Sequence, residues 1–155
     1  MLDANILLRL IEMSHPHHIA ARTALKVLRA RADRCVVVAQ SLNEFWVVAT
    51  RPTANNGLGK TPAQAAAWLS FFERQFPILP ELPLHAEWKR LVTTYGTRGL
   101  PAHDARLVAA MKVHGISHLL TFKGKDFARY QTGENIILVD PQSFNAASPP
   151  LSSTP

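Results

Sequence analysis

The feature that most limits what this chain can fold into is its alternation of short apolar pieces with longer apolar patterns of helical period. Residues 35–39, Cys-Val-Val-Val-Ala, are apolar on both alternating faces, the pattern of a strand covered on two sides. Leu119, Leu120 and Thr121 predict a second strand and residues 136–139 a third. The opening piece ends at Asp3 and turns directly into a helix through Ile6, Leu7 and Leu8. Helical spacing recurs over residues 17–31, where Ile19, Ala24, Val27 and Leu28 oppose a side carrying Arg22, Lys26 and Arg29. Residues 41–51 are apolar nearly all round and stop at Pro52. Thr61-Pro62-Ala63-Gln64 has the N-cap threonine, first-turn proline and third-position glutamine of a capping box. A short extended piece around Ile78 and Leu79 lies among prolines, residues 85–95 predict a helix, and another starts near His103-Asp104 and stops at Gly115. Strands that alternate with helices in this way argue an α/β fold, with a central, mostly parallel sheet flanked by helices.

At 155 residues, 47% apolar and 18% charged, the chain can bury one sizeable core, and disorder of the whole is excluded. Residues 1–141 carry the patterned part, and residues 142–155, rich in Pro, Ser and Thr, are expected to form a flexible C-terminal tail. No apolar run approaches the roughly 20 residues that span a bilayer, and residues 1–3 show no signal-peptide pattern, so we expect a soluble, cytoplasmic protein without membrane contact. The single cysteine, Cys35, excludes a disulfide framework and a cysteine-rich zinc site. A net charge of +6 favours polyanionic partners such as nucleic acid.

The placement of the 11 acids is informative. Asp3 ends the first apolar piece, Glu44 lies inside the apolar helix after the second strand, and Asp104 opens a helix. In a parallel α/β sheet these are positions from which side chains converge beyond the carboxyl ends of the strands. Two carboxylates about 4 Å apart repel by roughly 4 kcal/mol at an effective dielectric near 20, so such a cluster needs a cation or must take up protons. Oxygen-only ligation suits Mg²⁺ or Mn²⁺ better than zinc. Each acid also has a plainer role open to it: Asp104 as a helix N-cap, Asp3 in a turn with the amide two residues on, and Glu44 paired with an arginine.

Four motifs in order, Leu2-Asp3-Ala4-Asn5-Ile6-Leu7-Leu8, Ser41-Leu42-Asn43-Glu44-Phe45, His103-Asp104-Ala105-Arg106-Leu107, and Leu120-Thr121-Phe122 through Lys125-Asp126-Phe127, resemble the PIN domain. Within it they are most similar to the VapC ribonuclease toxins of type II toxin–antitoxin modules, over roughly residues 2–141. The resemblance implies a Mg²⁺- or Mn²⁺-dependent endoribonuclease whose metal is held by Asp3, Glu44 and Asp104. It places Asn5 and Thr121 in the polar shell around these acids, on the substrate side with Lys123. It further implies a homodimer and a VapB-like antitoxin that blocks the site. Lys123 stands where the family commonly has a further polar or acidic residue. Asp126 either takes over that catalytic position or caps a turn, and Lys123 offers a point charge to a substrate phosphate.

Other signals carry less. Residues 54–61 approach a phosphate-binding loop, but Ala54 replaces the first glycine and a helix rather than a strand precedes it. His15, His17 and His18 straddle Pro16 and predict a solvated interhelical turn, since no cysteine or local acid completes a zinc pattern. Trp46, Trp68, Phe71, Phe72 and Trp88 fall on helices and are assigned to the core or a dimer interface. Two other functions stay open at this level. One is a catalytically degenerate PIN-like module that binds RNA or a protein partner, and the other is a metal-dependent phosphatase of small esters.

Overall fold

The computed structural model of the chain describes residues 1–144. Its longer helices are α1 (Ala4–Ile11), α2 (His18–Ala30), α3 (Ala39–Thr50), α4 (Pro62–Gln75), α5 (His85–Thr94) and α6 (Pro101–Val113). Strand β1 (His118–Leu120) follows, then the single-turn helices α7 (Gly124–Phe127) and α8 (Gln131–Glu134), and strand β2 (Ile137–Val139). The α4 capping box forms as its sequence predicts: Thr61 Oγ1 accepts from the Gln64 N–H and the Gln64 side chain accepts from the Thr61 N–H.

The sheet is parallel, and most of it is only a residue or two long. β1 pairs with β2 in parallel, Leu119 opposite Leu138. Leu2 forms a parallel bridge with Leu120, through Asp3 N–H to the Leu120 carbonyl and Leu120 N–H to the Met1 carbonyl. Leu2 N–H also reaches the Val36 carbonyl, and Val37 bridges Ile78 in parallel. Laterally the order is therefore 78, 37, 2, 120, 138. The chain builds outward from Leu2 to one side and then returns to build on the other. The predicted strand at 35–39 reduces to this single bridge because Ala39 already belongs to α3.

Period-two alternation divides the apolar residues of the sheet between two cores. Leu2, Val37, Leu120 and Val139 face Ile6, Leu25, Phe45 and Phe72 of α1 to α4. Met1, Val36, Val38 and Leu119 face Leu91 of α5, Ala105 and the buried run 107–111 of α6, and Phe127 and Tyr130. Helices thus cover both faces, which explains why residues 36–38 are apolar without a polar side.

Packing continues past residue 141. Pro141–Ser143 forms a 3₁₀ turn capped by Asp140, and Phe144 is buried against the α2 side of the core. Residues 142–144 of the expected tail are thus described with the packed part, and residues 145–155 lie outside the described residues. The His15–His18 segment is also not simply solvated. His18 is buried with Nδ1 against the Arg9 carbonyl at 2.8 Å, and His17 stacks on Phe122 with ring centroids 4.6 Å apart.

One buried charge holds the second core together. Glu134 accepts from Arg90 Nη2 at 2.6 Å and from the Tyr95 hydroxyl at 3.0 Å, and Lys112 Nζ bonds its backbone carbonyl at 3.0 Å. Gly133 makes room for this, since a Cβ there would lie 2.2 Å from the Tyr95 hydroxyl. Burial alone would push the Glu134 carboxyl up, but the Arg90 and Tyr95 bonds outweigh it and hold it below the usual value of 4.5. A depressed native value contributes stability above the unfolded-state value and loses it as pH falls through the native one. Glu134→Gln is therefore expected to cost about 1–3 kcal/mol in urea unfolding at pH 7. The gap to wild type should close as the pH is taken below 4.5. A pH-independent gap would assign the loss to packing instead.

Candidate active site

The lateral order reverses between Leu2 and Leu120, and in an open parallel sheet the crevice outside the carboxyl ends at such a point is where ligands bind. Asp3 and Thr121 are the residues that end these two neighbouring segments. Asp3 is buried at 6% exposure and serves as N-cap of α1. Its Oδ2 accepts from Thr121 Oγ1 at 2.6 Å and from Asn5 Nδ2 at 2.6 Å. Asn5 Nδ2 also donates to Thr121 Oγ1 at 2.9 Å, while Asn5 Oδ1 accepts from the Phe122 N–H at 3.2 Å. Thr121 Oγ1 further accepts from the Lys123 N–H at 2.9 Å. Asn5 and Thr121 are thus buried supports that orient Asp3 and pin the 121–123 loop.

The other acids approach from different elements. Asp104 lies one turn inside α6, which begins at Pro101, so the N-cap role open to it from sequence is not the one it takes. Glu44 is half-buried on α3, and Oε1 accepts from Gln40 Nε2 at 2.8 Å rather than from an arginine. Asp126 is exposed on α7, and its N–H closes a turn onto the Lys123 carbonyl at 2.9 Å.

Their mutual electrostatics show that these carboxylates share one region. Burial raises the Asp104 carboxyl to about 6, with Asp126, Asp3 and Glu44 adding to the rise and Lys123 opposing it. Asp3 is also raised, mainly by burial and further by Glu44, against the bonds from Thr121 and Asn5 and the charge of Lys123. All four predicted acids and Lys123 therefore act on a single field. Two polar residues at or near the site were not singled out from sequence, Gln40 and Arg106; the only signal for Gln40 was a polar residue one turn from an acid on an apolar helix.

As the side chains lie, no group of three or more His, Cys, Asp or Glu among the described residues is placed to hold an ion. The donor set nevertheless fits a hard divalent cation. It consists of carboxylate oxygens, the proton affinities of Asp3 and Asp104 are raised by burial and by their acidic neighbours, and Mg²⁺ keeps several waters and needs only one or two direct carboxylates. Among the described residues, no helix is long and apolar enough to cross a membrane.

The PIN domain model matches residues 1–132. The chain belongs to the PIN domain family. Among solved structures, a chain of VapBC2 from Rickettsia felis, crystallised bound to a DNA fragment from their promoter, is similar in fold, with a TM-score of 0.66 at 19% identity. The match covers 90% of this chain and 96% of that one. Among curated proteins, no sequence matches significantly. The acids singled out from sequence, Asp3, Glu44 and Asp104, all lie within the matched residues, as does Thr121, which donates to the first of them.

Proposed function

We propose that this PIN domain is a VapC-type toxin, an endoribonuclease dependent on Mg²⁺ or Mn²⁺ that hydrolyses RNA phosphodiesters. The observation that carries this is the convergence of four acids, Asp3, Glu44, Asp104 and Asp126, near the switch point of the sheet, where burial first and the neighbouring acids second lift Asp104 to about 6. A carboxylate cluster of that kind in a chain of net charge +6 suits a polyanion brought in with a cation. Asp3, Glu44 and Asp104 are the residues that would hold the cation, with Asp126 at the rim. A bound divalent ion supplies a water of lowered pKa and screens the phosphodiester from the acids.

The chain's own residues do the rest. Asn5 and Thr121 fix the Asp3 carboxylate. Lys123, exposed beside them and acting electrostatically on both Asp3 and Asp104, is suited to a substrate phosphate. The basic surface provides non-specific affinity that weakens with salt. A VapB-like antitoxin and a homodimer belong to this proposal, supported by the fold shared with a VapBC2 chain.

Purified, antitoxin-free protein is expected to cleave total RNA in Mg²⁺ or Mn²⁺ and to leave it intact in chelator. RNA left intact under both conditions, with the protein folded, would overturn the nuclease assignment in favour of a binding module. Turnover of a chromogenic phosphomonoester without RNA cleavage would favour a phosphatase.

A further inference from the structure

Gln40 has no role legible in the sequence, yet it is buried at 7% exposure with its amide fully engaged. Its Nε2 donates to Glu44 Oε1 at 2.8 Å and to the His103 carbonyl at 2.8 Å, and its Oε1 accepts from Arg106 Nη1 at 3.0 Å. These partners leave the amide one orientation. A guanidinium only donates and a backbone carbonyl only accepts, so the oxygen must face Arg106 and the nitrogen must face His103. The remaining N–H then falls on Glu44, which lies one turn along the same face of α3.

The link crosses between helices that packing does not otherwise bind closely. α3 packs chiefly on α1 and α4, whereas α6 packs on α5. His103 immediately precedes Asp104 on α6, so one side chain ties the rotamer of Glu44 to the backbone that carries Asp104.

We propose that Gln40, oriented by Arg106, is a positioning residue of the acidic site that holds Glu44 in register with Asp104, so that both carboxylates serve the same cation. This rests on the nuclease assignment above and adds to it a residue outside the acidic motifs. The competing role is a tie between α3 and α6 with no bearing on the site.

The test uses Gln40→Met, which keeps length and volume without the hydrogen bonds, and measures Mn²⁺ binding to the folded protein by calorimetry alongside RNA cleavage. Mn²⁺ affinity is expected to fall by about 10- to 100-fold, the range seen when a residue that orients a metal ligand is lost. The cleavage rate at saturating RNA should fall with it, while KM for RNA stays close to wild type. Unchanged Mn²⁺ affinity in the folded variant overturns the proposal and leaves a structural tie. A second measurement does not depend on that variant folding. In metal-free wild-type protein the NMR signals of the Gln40 side-chain amide should be shifted and slow to exchange, and Glu44→Gln should move them, whereas signals indifferent to Glu44→Gln overturn the grip on Glu44. Wild-type protein that binds Mn²⁺ but leaves RNA intact would refute the nuclease assignment alone, and wild-type protein that binds no Mn²⁺ would refute both.

Discussion

Asp104→Asn is expected to stabilise the metal-free protein at pH 7.5 while abolishing metal-dependent RNA cleavage. In the native chain the Asp104 carboxyl is raised from 3.8 to about 6, by burial first and then by Asp126, Asp3 and Glu44. An acid whose native value exceeds its unfolded value binds its proton more tightly when folded, so wild-type stability should rise as pH is lowered from about 6 toward 3.8. Above that window the cost of the charge is fully present. Discounted for the solvent that reaches a half-buried group, the cost is about 1–2 kcal/mol, or roughly 3–6 °C in Tm. Asparagine removes the charge and should recover that amount in chelator at pH 7.5, with the advantage shrinking toward pH 4. Millimolar Mg²⁺ should then raise the Tm of wild type well above its effect on the variant, because the ion relieves the same repulsion. Cleavage should drop by about 10³-fold, the scale of losing a charged group that acts on the reacting centre. A variant less stable than wild type in chelator at pH 7.5 would show that the acids do not strain one another.

Thr121→Val should weaken both the fold and the hold on Asp3. The valine keeps the shape, but the Asp3 carboxylate loses a donor at 2.6 Å and the Lys123 N–H loses its acceptor at 2.9 Å. Asn5 keeps its bond to Asp3 and loses only the one to Thr121. Leaving buried polar groups without partners costs about 1–3 kcal/mol each, and solvent access at the loop amide reduces the sum, so about 2–3 kcal/mol is expected in urea unfolding. With one donor gone, Asp3 rises further above its ordinary value, and more Mg²⁺ is needed for the same rise in Tm. Thr121→Ser retains the hydroxyl and should remain within about 1 kcal/mol of wild type, the loss of one methyl group. Equal losses for valine and serine would assign the effect to the methyl group and remove the hydroxyl from the site.

The elements differ in how far their own residues announce them. The α4 start could be read from Thr61, Pro62 and Gln64 because a capping box is closed entirely by neighbours in sequence. The alternation at Val36, Val37 and Val38 foretold two covered faces, and the two cores on either side of the sheet bear that out. Ala39 was misplaced in a strand because an apolar pair at a strand-to-helix junction has no period of its own. His18 and Phe144 were assigned to solvent, one from its neighbours and the other from a tail rich in proline and serine, and both are buried by contacts made elsewhere in the chain.

For the site, the order of motifs and the resemblance it carries pointed to Asp3, Glu44 and Asp104, and the same resemblance placed Asn5 and Thr121 around them. Nothing local could have revealed Gln40, whose partners His103 and Arg106 lie 63 and 66 residues away, or Glu134, which meets Arg90 across 44. The sequence by itself determined the α/β alternation and the family and singled out the candidate acids, because periodicity, capping and short motifs are satisfied within a few residues. Only the tertiary structure decided that Asn5 and Thr121 turn inward onto Asp3, that Asp104 sits within α6 instead of capping it, and that a buried amide joins Glu44 to the helix of Asp104. Those outcomes depend on burial and on hydrogen bonds between distant segments, and neither exists until the chain has closed on itself.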